Sequence, residues 1–292
     1  MAFLSHSQIT HVNHRLHNKM LHKSNIPLYM GDEISISTNI INGLDLGIPL
    51  NLLTSLFTEL HYGFNISGFK LLLLQCLIGY YCYGKDRYKD ALQYENDNSQ
   101  VVSLKKQELY DTLLRYKSIY KVSYCFSFYM IILLLYSFDN TLQILPIIAL
   151  LYSTEYYKQL KEYSSLLKPF YVSFMWTFCT VIMPCVLYEH NYNILHDAYA
   201  YIPCLLVLFA TTNLADIKDI EEDRNNNINT IPVTYGKTNT QALIYGSTAI
   251  SSLLFGLHPH YIDHPFIHSL FEIQNIGITL LCANIKTQNS TN

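Results

Sequence analysis

Apolar stretches of membrane-spanning length alternate with polar segments along most of the chain. An apolar run of about 20 residues is long enough to cross the hydrocarbon core of a bilayer as a helix. The pattern therefore predicts about eight membrane-spanning helices, of which the first is the weakest because it contains Pro49 and several polar residues. The expected spans are 40–60, 67–83, 118–138, 141–157, 169–188, 197–215, 239–257 and 265–283.

The polar segments between these spans divide the rest of the chain. The longest, 85–116, is expected to be a loop with a short surface helix from Ser103, and a tight turn is expected at Asp139–Asn140. Residues 1–39 are polar and rich in histidine, and we treat them as a separate segment preceding a membrane domain at 40–292. A plastid or mitochondrial transit peptide and a lead-in on the membrane surface both fit this segment, which could be disordered.

Composition agrees with a multi-pass integral membrane protein. Only 14% of the 292 residues are charged, compared with about 25% in an average soluble domain. The net charge of −3 gives no global field that would attract nucleic acid. The seven cysteines show no CxxC spacing, so we interpret them as small buried hydrophobic residues.

Basic residues are distributed asymmetrically between the two ends of the predicted helices. If the N-terminus lies on the inner side, every lysine and arginine except Lys70 falls on that side. Helix orientation in membranes follows this excess of Lys and Arg on the inner face. The asymmetry also places the two acidic clusters described next on a common membrane face.

Two clusters of aspartates follow long apolar stretches. Asp86 and Asp90 are four residues apart, whereas Asp216, Asp219 and Asp223 have i, i+3, i+7 spacing. On a helix, either spacing places the carboxylates on one face. Carboxylate oxygens suit Mg²⁺, which usually keeps water ligands and takes phosphate oxygens of a substrate. We therefore expect the pair of clusters to hold magnesium against a diphosphate, with the neighbouring Glu221 and Glu222 in solvent.

The motifs around these aspartates resemble those of the UbiA-type intramembrane prenyltransferase superfamily. That family carries NxxxDxxxD after its second helix, and here Cys82 stands in the place of the asparagine before Asp86 and Asp90. The second cluster resembles the family's DxxDxxxD motif, and the T-[LI]-P-V-x-x-G signature that follows it corresponds to Thr230–Gly236. The family usually has nine helices, one more than the eight predicted here.

The resemblance implies an all-α polytopic bundle of about eight to nine transmembrane helices around a central cavity. It implies Mg²⁺-dependent transfer of a prenyl group from a prenyl diphosphate to an aromatic or other lipophilic acceptor within the bilayer. The catalytic and metal-binding residues would be the five aspartates. The residues expected to bind the diphosphate are Tyr157, Lys161, Lys168, Arg87 and Asn213.

Two other functions stay open at this point. A terpene cyclase of the same superfamily would use the same aspartates, with the prenyl cation captured by its own chain. A non-catalytic membrane relative, such as a transporter or a scaffold, is favoured by the loss of the motif asparagine at Cys82 and opposed by the intact second motif.

Overall fold

The computed structural model describes residues 47–62, 68–96, 104–138, 144–156, 163–188, 198–257 and 265–285. The predicted segment 1–39 and the turn at Asp139–Asn140 lie outside the described residues. Tyr157 and Lys161, two of the expected diphosphate ligands, also lie outside them.

Within these ranges the regular secondary structure is helical, which confirms the all-α prediction. The α-helices are α1 (Gly47–Tyr62), α2 (Phe69–Gly79), α3 (Lys85–Asn96), α4 (Leu104–Arg115), α5 (Lys117–Tyr136), α6 (Ile144–Ser153), α7 (Leu167–Thr177), α8 (Met183–Tyr188), α9 (Ala198–Lys218), α10 (Ile220–Asn225), α11 (Ile231–Tyr235), α12 (Lys237–Gly256) and α13 (Pro265–Asn284). A short 3₁₀ turn, Thr154–Tyr156, follows α6.

Two π-helical turns join neighbouring helices without a break. Tyr80–Gly84 connects α2 to α3, and Phe178–Ile182 connects α7 to α8. The predicted loop from Lys85 is therefore wrong over 85–96, since the second helix continues through the first aspartate cluster to Asn96. The surface helix predicted from Ser103 is confirmed as α4.

Three of the described helical segments are long and apolar enough to cross a membrane: Lys117–Tyr136, Leu167–Tyr188 and Tyr201–Lys218. The total of eight spans stays a prediction. Helix α5 exposes an apolar stripe at i, i+4, i+7 and i+11, formed by Val122, Phe126, Tyr129 and Leu133. An exposed apolar stripe of this length is typical of a helix face that contacts lipid.

A buried polar network fixes α1, α2 and the second π-helical turn to one another. The Gln75 amide nitrogen donates to Thr54 Oγ1 at 2.5 Å and to the Cys179 carbonyl at 3.2 Å. Asn51 Nδ2 donates to the Gln75 amide oxygen at 3.0 Å. Polar groups in an apolar interior must be paired, so this network specifies how the three segments meet behind the first aspartate cluster.

The same helices bury two apolar clusters. One involves α2, α4, α5, α6 and the α7–α8 segment, with Leu71, Ile131 and Leu151 at its centre. The other involves α1, α9, α12 and α13, where Phe255 stacks on Phe271 with ring centroids 3.7 Å apart. Helix α9, which leads to the second aspartate cluster, packs against both α7 and α12.

Lys70, the exception to the charge asymmetry, lies at the end of α2 opposite the first aspartates. Its ammonium donates to the Ser137 carbonyl at the C-terminal end of α5 and lies 4.1 Å from the centroid of the Phe138 ring. A carbonyl at a helix C-terminus and an aromatic face both attract a cation. The charge of Lys70 is therefore paired within the protein, at the end of α2 that is remote from the first aspartates.

Candidate functional site

The first aspartate cluster lies at the edge of a partly open apolar pocket. Asp86 lies in the first turn of α3, just after the π-helical turn, and is half-buried. It lines a pocket with a volume of about 110 Å³. The other lining residues are Leu50, Ile78, Gly79, Cys82, Tyr83, Thr154, Tyr171, Val172, Met175, Trp176 and Cys179.

Aromatic side chains form much of the pocket wall and are held in place by hydrogen bonds. The Trp176 indole N–H donates to the Tyr83 hydroxyl, and the two ring centroids lie 5.9 Å apart in an edge-to-face arrangement. The Tyr171 and Ser153 hydroxyls share a hydrogen bond of 2.8 Å. Because the hydroxyl and indole N–H groups are hydrogen-bonded to one another, the aromatic rings can line an apolar pocket.

Cys82 occupies the motif position one turn before Asp86, and both residues line the pocket. A neutral thiol lacks the hard oxygen that an asparagine would offer to Mg²⁺. At this position the chain therefore presents an apolar surface to the pocket where the family motif has a polar ligand.

The second cluster starts in the last turn of α9. Asn213 is fully buried, and its amide nitrogen donates to the Phe209 carbonyl at 2.8 Å. Its amide oxygen has no hydrogen-bond partner among the residues that the structure describes. One turn further on, Asp216 Oδ1 lies 2.5 Å from Lys168 Nζ at the start of α7. This ion pair joins α7 to α9.

The second cluster does not lie on one continuous helix, although its i, i+3, i+7 spacing is typical of one. Helix α9 ends at Lys218, and Asp219 occupies the N-cap position of the short helix α10, which contains Asp223, without a side-chain capping hydrogen bond. The three aspartates are nevertheless neighbours, because Lys168, Asp216 and Asp219 all act electrostatically on Asp223. The break at Asp219 therefore leaves the three carboxylates close to one another, although they do not lie on one straight helix.

The carboxyl of Asp223 has a raised pKa. Burial raises the pKa of its carboxyl to about 6, and the neighbouring Asp216 and Asp219 add to the rise. Lys168 and a hydrogen bond from Thr230 Oγ1, at 3.3 Å, oppose it. Thr230 is also the first residue of the signature that ends at Gly236, whose φ of 84° is readily adopted only by glycine.

The two glutamates of this segment are partly exposed, and each forms an ion pair with a basic residue. Lys106 Nζ on α4 lies 2.6 Å from Glu222 Oε1 and 3.9 Å from Asp219 Oδ2. Burial would lower the pKa of Lys106, but the hydrogen bond to Glu222 and the charge of Asp219 raise it overall. Glu221 accepts a hydrogen bond from Arg224 at 2.9 Å.

Tyr110 on α4 connects the two clusters electrostatically. Burial raises the pKa of its phenol first, and the carboxylates of Asp90, Glu222 and Asp86 raise it further. The geometry agrees, because Lys106 on the same helix α4 lies 3.9 Å from Asp219 Oδ2, and α4 packs against α3, which carries Asp86 and Asp90. The clusters therefore occupy the same end of the helix bundle, as the charge asymmetry predicted.

Several of the predicted diphosphate ligands can be placed. Lys168 and Asn213 lie beside the second cluster, whereas Arg87 is exposed on α3 beside Asp86. Sequence reasoning missed Lys106 and Tyr110 as neighbours of the acidic residues. Nothing in the sequence of the predicted surface helix indicates that it contacts the second cluster, which lies more than 100 residues away.

The carboxylates do not form a ready-made metal cage. Among the described residues, no group of three or more His, Cys, Asp or Glu side chains is arranged to hold a metal ion. The donor set nevertheless fits Mg²⁺, which binds through one or two carboxylates and takes its remaining ligands from water and substrate phosphates. The buried amide oxygen of Asn213 adds one more hard donor beside Asp216.

Comparison with known proteins identifies one family. Residues 105–281, more than half of the chain, match the profile of the UbiA prenyltransferase family. The matched region contains Lys168, Asn213 and the second aspartate cluster, and Asp86 and Asp90 precede it. No curated protein and no solved structure matches the chain.

Proposed function

The chain belongs to the UbiA prenyltransferase family, and from this membership we propose that it transfers a prenyl group from a prenyl diphosphate to a lipophilic acceptor in the membrane. The observation that carries the proposal is the position of Asp86. Asp86 lines an apolar pocket, and its helix α3 packs against α4, whose Lys106 Nζ lies 3.9 Å from Asp219 Oδ2 in the second cluster. A diphosphate head and an isoprenoid tail need this combination of an acidic, metal-binding end and an apolar cavity.

The acidic end would bind the diphosphate through Mg²⁺ held by Asp86, Asp90, Asp216, Asp219 and Asp223. When bound, the ion would neutralise negative charge that develops on the leaving diphosphate. Lys168 lies within this group, and its ammonium can donate to phosphate oxygens. Arg87, Tyr157 and Lys161 are proposed as further contacts, and the amide oxygen of Asn213 is proposed to orient the polar groups beside Asp216.

The pocket would hold the prenyl tail and protect the cation. The allylic C–O bond breaks, and its electron pair leaves with the diphosphate. An electron-rich carbon of the acceptor, for which an aromatic ring is the leading class, then forms the new C–C bond and loses a proton. The apolar wall keeps water away from the cation, and the rings of Tyr83, Tyr171 and Trp176 offer faces and edges around it.

Product analysis with matched variants tests this function. Membranes containing the full chain are incubated with Mg²⁺, a panel of prenyl diphosphates and aromatic acceptors, and products are identified by mass. Transfer that is lost in Asp86→Asn and Asp219→Asn but kept in Glu221→Gln supports the proposal. Glu221 is a suitable control because it is an acidic neighbour that already pairs with Arg224.

The same experiment separates the alternatives. Release of diphosphate without an acceptor, accompanied by a cyclic hydrocarbon, would identify a terpene cyclase. Absence of diphosphate release with every prenyl diphosphate in the panel would favour a non-catalytic relative and contradict the proposal.

A further inference from the structure

The ion pair between Lys168 and Asp216 lies within the segment proposed to bind metal, and it is largely shielded from solvent. The ammonium is 2.5 Å from Asp216 Oδ1, and the two side chains are only 15% and 9% exposed. Breaking a shielded ion pair is costly because each charge then lacks its partner in a poorly solvated site. A divalent cation arriving alone would have to displace this ammonium or bind beside it.

The glutamates next to the second cluster also form ion pairs with basic side chains of the protein. Lys106 binds Glu222, and Arg224 binds Glu221. Asp219 is the more accessible aspartate, with a side chain 46% exposed and 3.9 Å from Lys106. Basic side chains thus lie against several carboxylates of this segment. In agreement with this, no three described His, Cys, Asp or Glu side chains are arranged to hold a metal ion.

We propose that the Lys168 ammonium acts as an internal substitute for the divalent cation on Asp216, so that the protein binds the metal tightly only together with a diphosphate. This inference rests on the proposed function, since it assumes that a diphosphate is bound at the acidic end. The incoming diphosphate provides new acceptors for the Lys168 N–H groups and releases the Asp216 oxygen to the metal. Metal and diphosphate then bind with strong positive coupling.

The chemistry of the two cations explains why this exchange is possible. A lysine ammonium is a compact charge on a flexible four-carbon chain, so it can move from a carboxylate to a nearby phosphate without a change in the backbone. Phosphate oxygens accept charge-assisted hydrogen bonds as carboxylates do. The exchange keeps Lys168 paired before and after binding, and it prevents metal and ammonium from competing for one oxygen.

Equilibrium dialysis with Mn²⁺ as the metal probe and inorganic pyrophosphate as the diphosphate probe tests the coupling. Purified full-length protein in detergent is dialysed against Mn²⁺ with and without pyrophosphate, and Mn²⁺ retained on the protein side is measured. Chelation by pyrophosphate is equal on both sides, so only binding to the protein is counted. The wild-type protein is expected to bind Mn²⁺ weakly alone and at least tenfold more tightly with pyrophosphate.

Variants at Lys168 distinguish substitution for the metal from a purely structural pair. In Lys168→Gln, affinity for Mn²⁺ alone should rise by about 10- to 100-fold, because an adjacent unit charge changes the cation affinity of a carboxylate by about this factor. The increase in Mn²⁺ affinity caused by pyrophosphate should become smaller. Lys168→Arg should behave as the wild type. Arg224→Gln is the matched control, since it removes the basic partner of Glu221 in a more exposed ion pair nearby. Its Mn²⁺ binding should stay unchanged.

Three results would overturn the inference. If the wild-type protein binds Mn²⁺ alone as tightly as with pyrophosphate, Lys168 does not exclude the metal; this comparison needs no variant and holds even if Lys168→Gln fails to fold. Unchanged Mn²⁺ affinity in folded Lys168→Gln refutes the role of Lys168 and leaves the proposed function standing. Failure to bind Mn²⁺ under either condition contradicts both the inference and the proposed function.

Discussion

Lys106 Nζ lies 2.6 Å from Glu222 Oε1, which joins the helix after the first aspartate motif to the segment that carries the second. The two residues are 116 positions apart in the sequence. Because α4 also packs against α3, this contact sets the position of the first cluster relative to the second.

The Lys106–Glu222 pair is expected to contribute little to global stability. The lysine side chain is more than one third exposed, and exposed ion pairs typically contribute about 0.2–1 kcal/mol. A double-mutant cycle with Lys106→Met and Glu222→Gln, measured by denaturant unfolding in detergent, should give a coupling energy within that range. A coupling above about 2 kcal/mol would show that the pair is effectively buried and would contradict this assignment.

Replacing Asp86 should abolish most prenyl transfer without unfolding the protein. Asp86→Asn removes one negative charge at the pocket edge and keeps the side-chain shape. Loss of one preorganised electrostatic group typically costs about 100- to 1,000-fold in rate. Steady-state rates of Asp86→Asn and of the control Glu221→Gln should differ by about this factor, with similar melting temperatures. Equal rates in the two variants would remove Asp86 from the reaction.

Asp223 should make stability depend on pH between about 4 and 6. Its folded pKa of about 6 exceeds the ordinary value of 3.8, so in this interval the folded protein holds a proton that the unfolded chain has released. The free energy of unfolding of metal-free protein should therefore fall as pH rises through this interval and become level above it.

Asp223→Asn tests the assignment, because the amide cannot ionise. The decline in unfolding free energy between pH 4 and pH 6 should be smaller in this variant than in the wild type. A decline of equal size in both proteins would assign the pH dependence to another group.

Gly84 should not tolerate a larger side chain. A Cβ atom there would lie 2.9 Å from Tyr124 Cε1, and the Tyr124 hydroxyl donates to the Gly84 carbonyl at 2.9 Å. Forcing an extra methyl group into a packed site typically costs about 1–3 kcal/mol. Gly84→Ala should unfold at lower denaturant concentration than the wild type.

Gly246→Ala is the matched control for Gly84→Ala. Its new methyl group would meet open space within helix α12, and alanine favours a helix interior by about 1 kcal/mol over glycine. This variant should be as stable as the wild type or more stable. Equal destabilisation by both substitutions would contradict the assignment of the cost at Gly84 to contact with Tyr124.

Restoring the family asparagine at Cys82 should strengthen metal-dependent diphosphate binding. The new amide oxygen would enter the pocket one turn before Asp86, where it can act as a hard ligand or hold a water ligand. Cys82→Asn is expected to lower the Mg²⁺ concentration for half-maximal activity by up to about tenfold, whereas Cys82→Ala should have no such effect. Higher Mg²⁺ demand in Cys82→Asn would show that the pocket requires an apolar group there.

The apolar pattern predicted helix positions well because the lengths of buried apolar runs are a local property of the sequence. Helices α5, α9, α12 and α13 begin and end within a few residues of the predicted limits. The continuation of α2 through Tyr80–Gly84 into α3 was not predictable in this way. The polar residues from Lys85 suggested a loop, whereas packing of α3 against α4 extends the helix.

The sequence motifs select candidate site residues, but they do not predict how these residues are arranged. The acidic motifs identify Asp86 and Asp216, but the kink at Asp219 and the partners of Glu222 depend on contacts between distant segments. A spacing of i, i+3, i+7 is equally compatible with a straight helix and with a helix that ends and restarts. Likewise, the sequence offers no local signal that Lys168 pairs with Asp216 at a separation of 48 residues.

The π-helical turn before Asp86 sets the angular phase of the first motif. In a regular α-helix, Ile78 and Asp86, eight residues apart, would point about 80° away from each other, whereas a wider turn brings them closer to one line along the pocket. Deleting a single residue from Tyr80–Gly84 with a return to regular winding would leave seven residues, or about 700°, between the two, so Asp86 would still point to within about 20° of the same line. The extra residue of this turn therefore keeps the motif in phase with the cavity: regular winding of the same eight residues would turn the carboxylate about 80° away while leaving every residue type of the motif in place.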